Sequence, residues 1–178
     1  PRPGSSYKAL VAGMGPAGYT LAHYLLNEGH QVTGIDGLKI EPLDPELLDP
    51  TKPIKDTSTL MQPLSERVVG GFGGVAEYGI TVRWNKNYLT IIRLLLERRA
   101  NFELHGGVRL GGTLTIDQCK QHYDHIALCM GAGRPNLVPM KNALARGVRM
   151  ASDFLMALQL TGAAKADSIA NLQVRLPI

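Results

Sequence analysis

The chain reads as an α/β protein, a parallel sheet flanked by helices, and three observations point there. A glycine-rich turn, Gly13-Met14-Gly15-Pro16-Ala17-Gly18, lies between a strand pattern and a helix pattern. A second strand pattern follows and ends in an acid, Asp36, 18 residues after Gly18. A near-continuous apolar run over residues 125–130 then stops at Gly131-Ala132-Gly133, as a buried parallel strand does where it meets a ligand-facing turn. A hydrophobic fraction of 44% with 20 glycines suits such a fold, which needs both a core and many tight turns.

Residues 1–6 are expected to be a flexible lead. Residues 7–36 predict a β-α-β unit in which each glycine has a distinct task. Gly13 permits the turn out of the first strand, because a side chain there would clash. Gly15 lets the backbone approach a pyrophosphate, and Gly18 lets the helix pack close to the strand. Pro16 suits a first helical turn, where no N–H is needed. Leu21, Ala22 and Leu25 form an apolar face, and Gly29 is a natural stop. The free amides and positive dipole end of this helix would hold the pyrophosphate. Asp36 would accept hydrogen bonds from an adenosine ribose and would disfavour a 2′-phosphate, so FAD or NAD is expected there rather than NADP. The bland alternative is a strand-turn-helix whose glycines serve packing alone. The order strand, glycines, helix, strand, acid weighs against it.

From residue 37 to 61 the chain carries Pro42, Pro45, Pro50 and Pro53 and reads as a long irregular connection. The glycine-dense residues 67–75 suggest backbone packed on a flat object, or a mobile loop, and lead into residues 78–84. A helix is predicted over residues 87–99, with Leu89, Ile92, Leu95 and Leu96 inward and Arg93, Glu97 and Arg98 largely elsewhere. Strands are predicted over residues 101–105 and, briefly, 114–116, with Asp117 capping the turn or helix after them. A last helix is predicted over residues 152–160.

The net charge of +4 is dispersed, and the pair Arg98-Arg99 fits a helix C-terminal dipole better than nucleic acid. No apolar run approaches the roughly 20 residues that span a bilayer, so no membrane partner is expected. Two cysteines and no signal-peptide pattern make a reduced, cytoplasmic protein the default. Both ends look cut, so the chain is expected to be part of something longer.

Taken together, these landmarks resemble the FAD-binding domain of the glutamate synthase small-subunit type, within the two-dinucleotide-binding flavoproteins. The resemblance rests on the turn at residues 13–18 and on Gly73-Gly74-Val75-Ala76-Glu77-Tyr78-Gly79-Ile80 followed by Arg83. It also rests on Leu128-Cys129-Met130-Gly131-Ala132 and on Gly147-Val148, Ala151 and Asp153-Phe154-Leu155, all in the family's order. It implies a Rossmann-like FAD domain whose parent enzyme takes hydride from NAD(P)H and passes electrons to an acceptor or partner subunit. By resemblance, Gly13, Gly15, Pro16, Ala17 and Gly18 hold the pyrophosphate and Asp36 the ribose. Gly74 and Val75 border the flavin, Val108 the adenine, and Gly131 the turn facing the cofactor. The family's NAD(P)H domain would be entered just after residues 172–178, and neither it nor the segment that returns to complete the FAD site lies in this chain. By itself the chain is expected to have little or no turnover.

The chain also departs from the family. About 37 residues separate Asp36 from Gly73, which suggests an insertion. No cysteine cluster for iron–sulfur ligation is present, so any cluster route must lie outside this chain.

Cys119, His122, His125 and Cys129 resemble a zinc set by residue type, but their spacing does not. Cys129 fits a small core residue, Cys119 a solvated helix, and His23 a partly packed surface side chain. Tyr78 and Trp84 suit a flavin pocket or a core equally. No nucleophile elbow or paired carboxylate is apparent, which agrees with chemistry carried by a cofactor. Two other classes stay open: an NAD-dependent dehydrogenase without flavin, and a non-catalytic nucleotide-binding assembly module.

Overall fold

Residues Leu10 and Val11 face opposite sides of strand β1 (Lys8–Ala12), yet both are wholly buried. That is the requirement at the centre of a parallel sheet covered on both faces. The computed structural model describes residues 2–63, 65, 72, 85–132, 136–160 and 167. In it β1 pairs with β2 (Gln31–Asp36) on one side and with β4 (His125–Leu128) on the other. Strand β3 (Phe102–Gly106) lies beyond β2, giving the order β3-β2-β1-β4 with every pairing parallel. The fold is therefore α/β and Rossmann-like.

Helix α1 (Pro16–Asn27) starts with proline in its first turn and ends in a Schellman motif. His30 N–H donates to the Leu25 carbonyl at 3.1 Å and Gly29 N–H to Leu26 at 3.2 Å. Gly29 has φ +86°, the left-handed conformation this stop needs. The lead expected to be flexible is tied to the same helix end. Arg2 N–H donates to Asn27 O at 2.8 Å, and Ser5 N–H to Gly29 O at 2.9 Å.

One face of the sheet, with Val11, Val32 and Phe102, packs on Ala22 and Leu26 of α1 and on Leu89 and Leu96 of a later helix. The other face, with Leu10, Ala12 and Ile35, packs on Cys119, Val108, Leu110, Tyr123 and Ile126.

The irregular connection contains two single turns, α2 (Pro45–Leu48) and a 3₁₀ turn (Thr57–Leu60). Asp44 and Asp56 cap them by accepting from the amides of Glu46 and Ser58. Helix α3 (Asn87–Glu97) then fastens this connection to the body.

Several expectations about local structure and packing are corrected. Arg93 points inward, 1% exposed, while Leu95 is 55% exposed. The guanidinium is satisfied there by Glu97 on the same helix, at 2.5 and 3.2 Å, and by the Glu41 carbonyl at 2.6 Å. The short strand at residues 114–116 is absent. Leu114 forms an isolated bridge to Leu110, and Ile116 opens helix α4 (Ile116–Lys120). Its cap is Thr115 in a reciprocal box with Gln118, so Asp117 lies in the first turn instead. Cys119 on that helix is buried, and β4 is half exposed because it forms an edge of the described sheet. Helix α5 (Ala151–Leu160) begins one residue before the predicted start.

Among the described residues, no helix is long and apolar enough to cross a membrane.

Candidate functional site

In an open parallel sheet, ligands bind beyond the carboxyl ends of the strands where the strand order reverses. Here β1, β2 and β3 run outward in one direction and β4 lies on the opposite side of β1, so the reversal falls between β1 and β4. The glycine turn leaves β1 at that point. Gly13 N–H donates to Ile35 O at 2.7 Å, and Cys129 N–H donates to Ala12 O at 2.7 Å. The turn is thus clamped between the ends of β2 and β4.

The three glycines differ in what requires them. Gly13 has φ +95°, and a Cβ there would stand 2.5 Å from the Cys129 carbonyl oxygen. A Cβ on Gly18 would stand 1.8 Å from the Gly13 carbonyl oxygen, so helix and turn touch there through bare backbone. A Cβ on Gly15 would meet nothing within 4 Å, and its φ of −76° suits any residue. Neither the fold nor the backbone asks for glycine at 15. A ligand approaching that backbone would.

Gly15 is also the N-cap of α1, and no side chain caps the helix. No acid stands in the first turn, and Pro16 has no N–H, so the amides of Ala17 and Gly18 point to the crevice without a side-chain acceptor. A 12-residue helix presents its positive end here, which suits a phosphate. Pro16 and Ala17 are themselves exposed.

Asp36, at the end of β2, is half-buried beside this turn. One carboxylate oxygen accepts from Met14 N–H at 3.1 Å and the other from Leu38 N–H at 2.9 Å. A carboxylate has about four acceptor positions, so each oxygen keeps capacity for a hydroxyl. Met14 is wholly buried over Gly34, where a Cβ would collide with its sulfur at 2.6 Å. This packing holds the turn down and aims the Met14 amide at Asp36, a role the sequence pattern did not reveal.

Val108 follows β3 and donates its N–H to the Asp36 carbonyl at 2.9 Å. Gly131 follows β4 with φ +69° and an open side. Gly13, Gly15, Pro16, Ala17, Gly18, Asp36, Val108 and Gly131 are therefore gathered along the carboxyl ends of the four strands. Gly74 and Val75, with Tyr78, Arg83, Trp84 and the link at residues 172–178, lie outside the described residues.

Two further residues went unnoticed in the sequence, the first of them beside the crevice. Arg109 lies across Gly37, next to Asp36. Lys86, the N-cap of α3, is 2% exposed, and burial lowers its ammonium to about 8. Neither carries a pattern that spacing could expose.

Of the other tempting groups, Cys129 borders the crevice through its backbone, against Gly13. Cys129 is half-buried with its thiol pushed up by burial, while His122 and His125 are exposed. His23 Nε2 accepts from the Asn27 side-chain amide at 3.1 Å and its ring neighbours Arg99 at 3.4 Å, joining the ends of α1 and α3. A hollow of about 420 Å³ lined by Lys8, Gln31, Thr33, Asn101, Glu103 and His122 opens at the amino ends of the strands. It is polar, lies on the opposite side of the sheet from the glycine turn, and offers no helix terminus to a phosphate.

No known protein family's sequence profile matches the chain. Along its whole length the chain is 50% identical to "Uncharacterized protein RP006" of Rickettsia prowazekii (strain Madrid E). It spans 25% of that relative's length.

Proposed function

We propose that this chain binds FAD as the flavin-holding part of an NAD(P)H-dependent oxidoreductase similar to the glutamate synthase small subunit. The supporting observation is the bare Gly15 backbone at an uncapped helix terminus, with the Asp36 carboxylate beside it at the point of strand reversal. The residues present fit the cofactor. Gly15, Ala17 and Gly18 would hold the pyrophosphate, Asp36 the ribose, and Val108 the adenine side, with Gly131 along the rim. When bound, the flavin would accept a hydride and release electrons singly or in pairs. The chain's own part is to bind, orient and fix the adenosine end. A partner subunit or further domain would bring NAD(P)H and the electron acceptor.

The test is a titration of the purified chain with FAD and with NAD(H), read by visible absorption and flavin fluorescence. Saturable FAD binding with a shifted flavin spectrum is expected. NAD binding without flavin affinity would replace this reading with a flavin-free dehydrogenase, and binding of neither would overturn it.

A further inference from the structure

The loop after β3 carries a side chain that the proposed cofactor site does not yet use. Val108 N–H donates to the Asp36 carbonyl, so this loop lies directly against the end of β2. The loop is held tightly: the Arg109 carbonyl accepts from Gly112 N–H at 3.1 Å and Thr113 N–H at 2.7 Å. The Arg109 amide in turn donates to Thr113 Oγ1 at 3.1 Å. From this fixed base the Arg109 stem crosses Gly37, its Cγ and Cβ 3.6 and 3.7 Å from where a side chain at 37 would begin. The arginine is exposed, and among the described residues its guanidinium has no hydrogen bond or ion pair. The arginine stem is therefore anchored against residue 37, the neighbour of the residue whose carboxylate would hold a ribose.

A ribose on Asp36, with its pyrophosphate on α1 between β1 and β4, directs its base the other way, past β2 towards β3. We infer that Arg109 lays its guanidinium against the adenine of the bound dinucleotide and so positions the adenosine end. This deepens the FAD reading and rests on it. Guanidinium planes stack on aromatic rings, whereas an ammonium lacks the plane. A 2′-phosphate is the weaker candidate for this cation, because the Asp36 carboxylate would repel it.

The test uses the whole chain with FAD and 5′-ADP as probes, comparing the parent with Arg109→Ala and Arg109→Lys by calorimetry at low and high salt. Arg109 is exposed, so both variants should keep the parent's circular dichroism. Arg109→Ala should bind both probes about three- to thirty-fold more weakly, the range of an exposed to partly desolvated cation–π contact. Arg109→Lys should recover little of that loss, and salt should change it little. Undiminished binding by Arg109→Ala would overturn the inference while leaving FAD binding intact. Full rescue by Arg109→Lys with strong salt dependence would overturn it in favour of a simple charge. A parent preference for 2′,5′-ADP over 5′-ADP, lost in Arg109→Ala, would overturn it in favour of a phosphate site. If the parent binds neither FAD nor 5′-ADP, the FAD reading and this inference fall together.

Discussion

On the proposed FAD reading, Gly15 separates ligand binding from folding, since neither packing nor backbone conformation requires glycine there. Gly15→Ala should leave unfolding free energy within about 0.5 kcal/mol of the parent. A stiffer unfolded chain favours the variant, while alanine makes a poorer N-cap, and the two effects offset. Its FAD affinity should nevertheless fall, because the methyl occupies the approach to the pyrophosphate. Gly18→Ala should instead cost about 3 kcal/mol, since its Cβ has only the Gly13 carbonyl to push against. Urea unfolding and an FAD titration on both variants check this contrast, and equal behaviour would refute it. Asp36→Asn should raise the FAD dissociation constant about tenfold or more through weaker, uncharged hydrogen bonds to the ribose. An unchanged constant would remove the ribose from Asp36. Gly13 and Gly18 were legible as packing glycines because spacing alone sets their tasks. Met14 and Arg109 were not, since their importance comes from packing over Gly34 and Gly37, residues distant in sequence.

At the scale of elements, α3 is a fastening for the proline-rich connection, and the sequence read its charge pattern the wrong way round. A charged residue between leucines looks like a solvent face. Arg93 is buried because Glu97 and a carbonyl from residue 41 complete its hydrogen bonds, and only the second of these is invisible to helical periodicity. Arg98 likewise donates to the carbonyls of Asp49 and Lys52. Arg93→Met should cost about 3 kcal/mol, because it strands the nearly buried Glu97 carboxylate. It should also make residues 37–61 faster to cleave in limited proteolysis, with cleavage at the parent rate counting against the fastening. The first residue before this helix supplies a pH signature. Burial lowers Lys86 to about 8 from an ordinary 10.5. Below pH 8 both states hold the proton and the burial penalty is constant. Between 8 and about 10.5 only the unfolded state still holds it, so this group makes stability rise with pH there. Comparing urea midpoints of the parent and Lys86→Met across that window should show the rise in the parent alone.

Across the whole molecule, the α/β class and its parallel sheet were readable, since strand and helix periods differ and a parallel core strand is apolar throughout. The burial of β4 was misjudged because an apolar run does not say whether a neighbour follows. Leu128, at the end of that run, is 59% exposed on an edge strand of the described sheet. The exposed segment with Leu137 and Val138, 67% and 68% open, gives the same lesson. On the proposed reading, the chain loaded with FAD should not oxidise NADH or NADPH at a rate above free flavin. Sustained turnover in a stopped-flow absorbance assay would show that a hydride donor finds a site here after all.

The seam between β1 and β4 also fixes when the crevice can exist during synthesis. Lys8 N–H donates to the Asp124 carboxylate across 116 residues of chain, and Gly13 rests on the backbone of Cys129. The helix terminus and Asp36 leave the ribosome together, whereas the wall opposite them, about 95 residues later, follows after roughly 5–19 s at about 5–20 residues per second. Until then the nascent chain offers a dinucleotide only half a groove. On the proposed FAD reading, ribosome-stalled chains should accordingly begin to retain FAD only once residues past 131 have cleared the exit tunnel, which would make cofactor capture follow completion of the sheet.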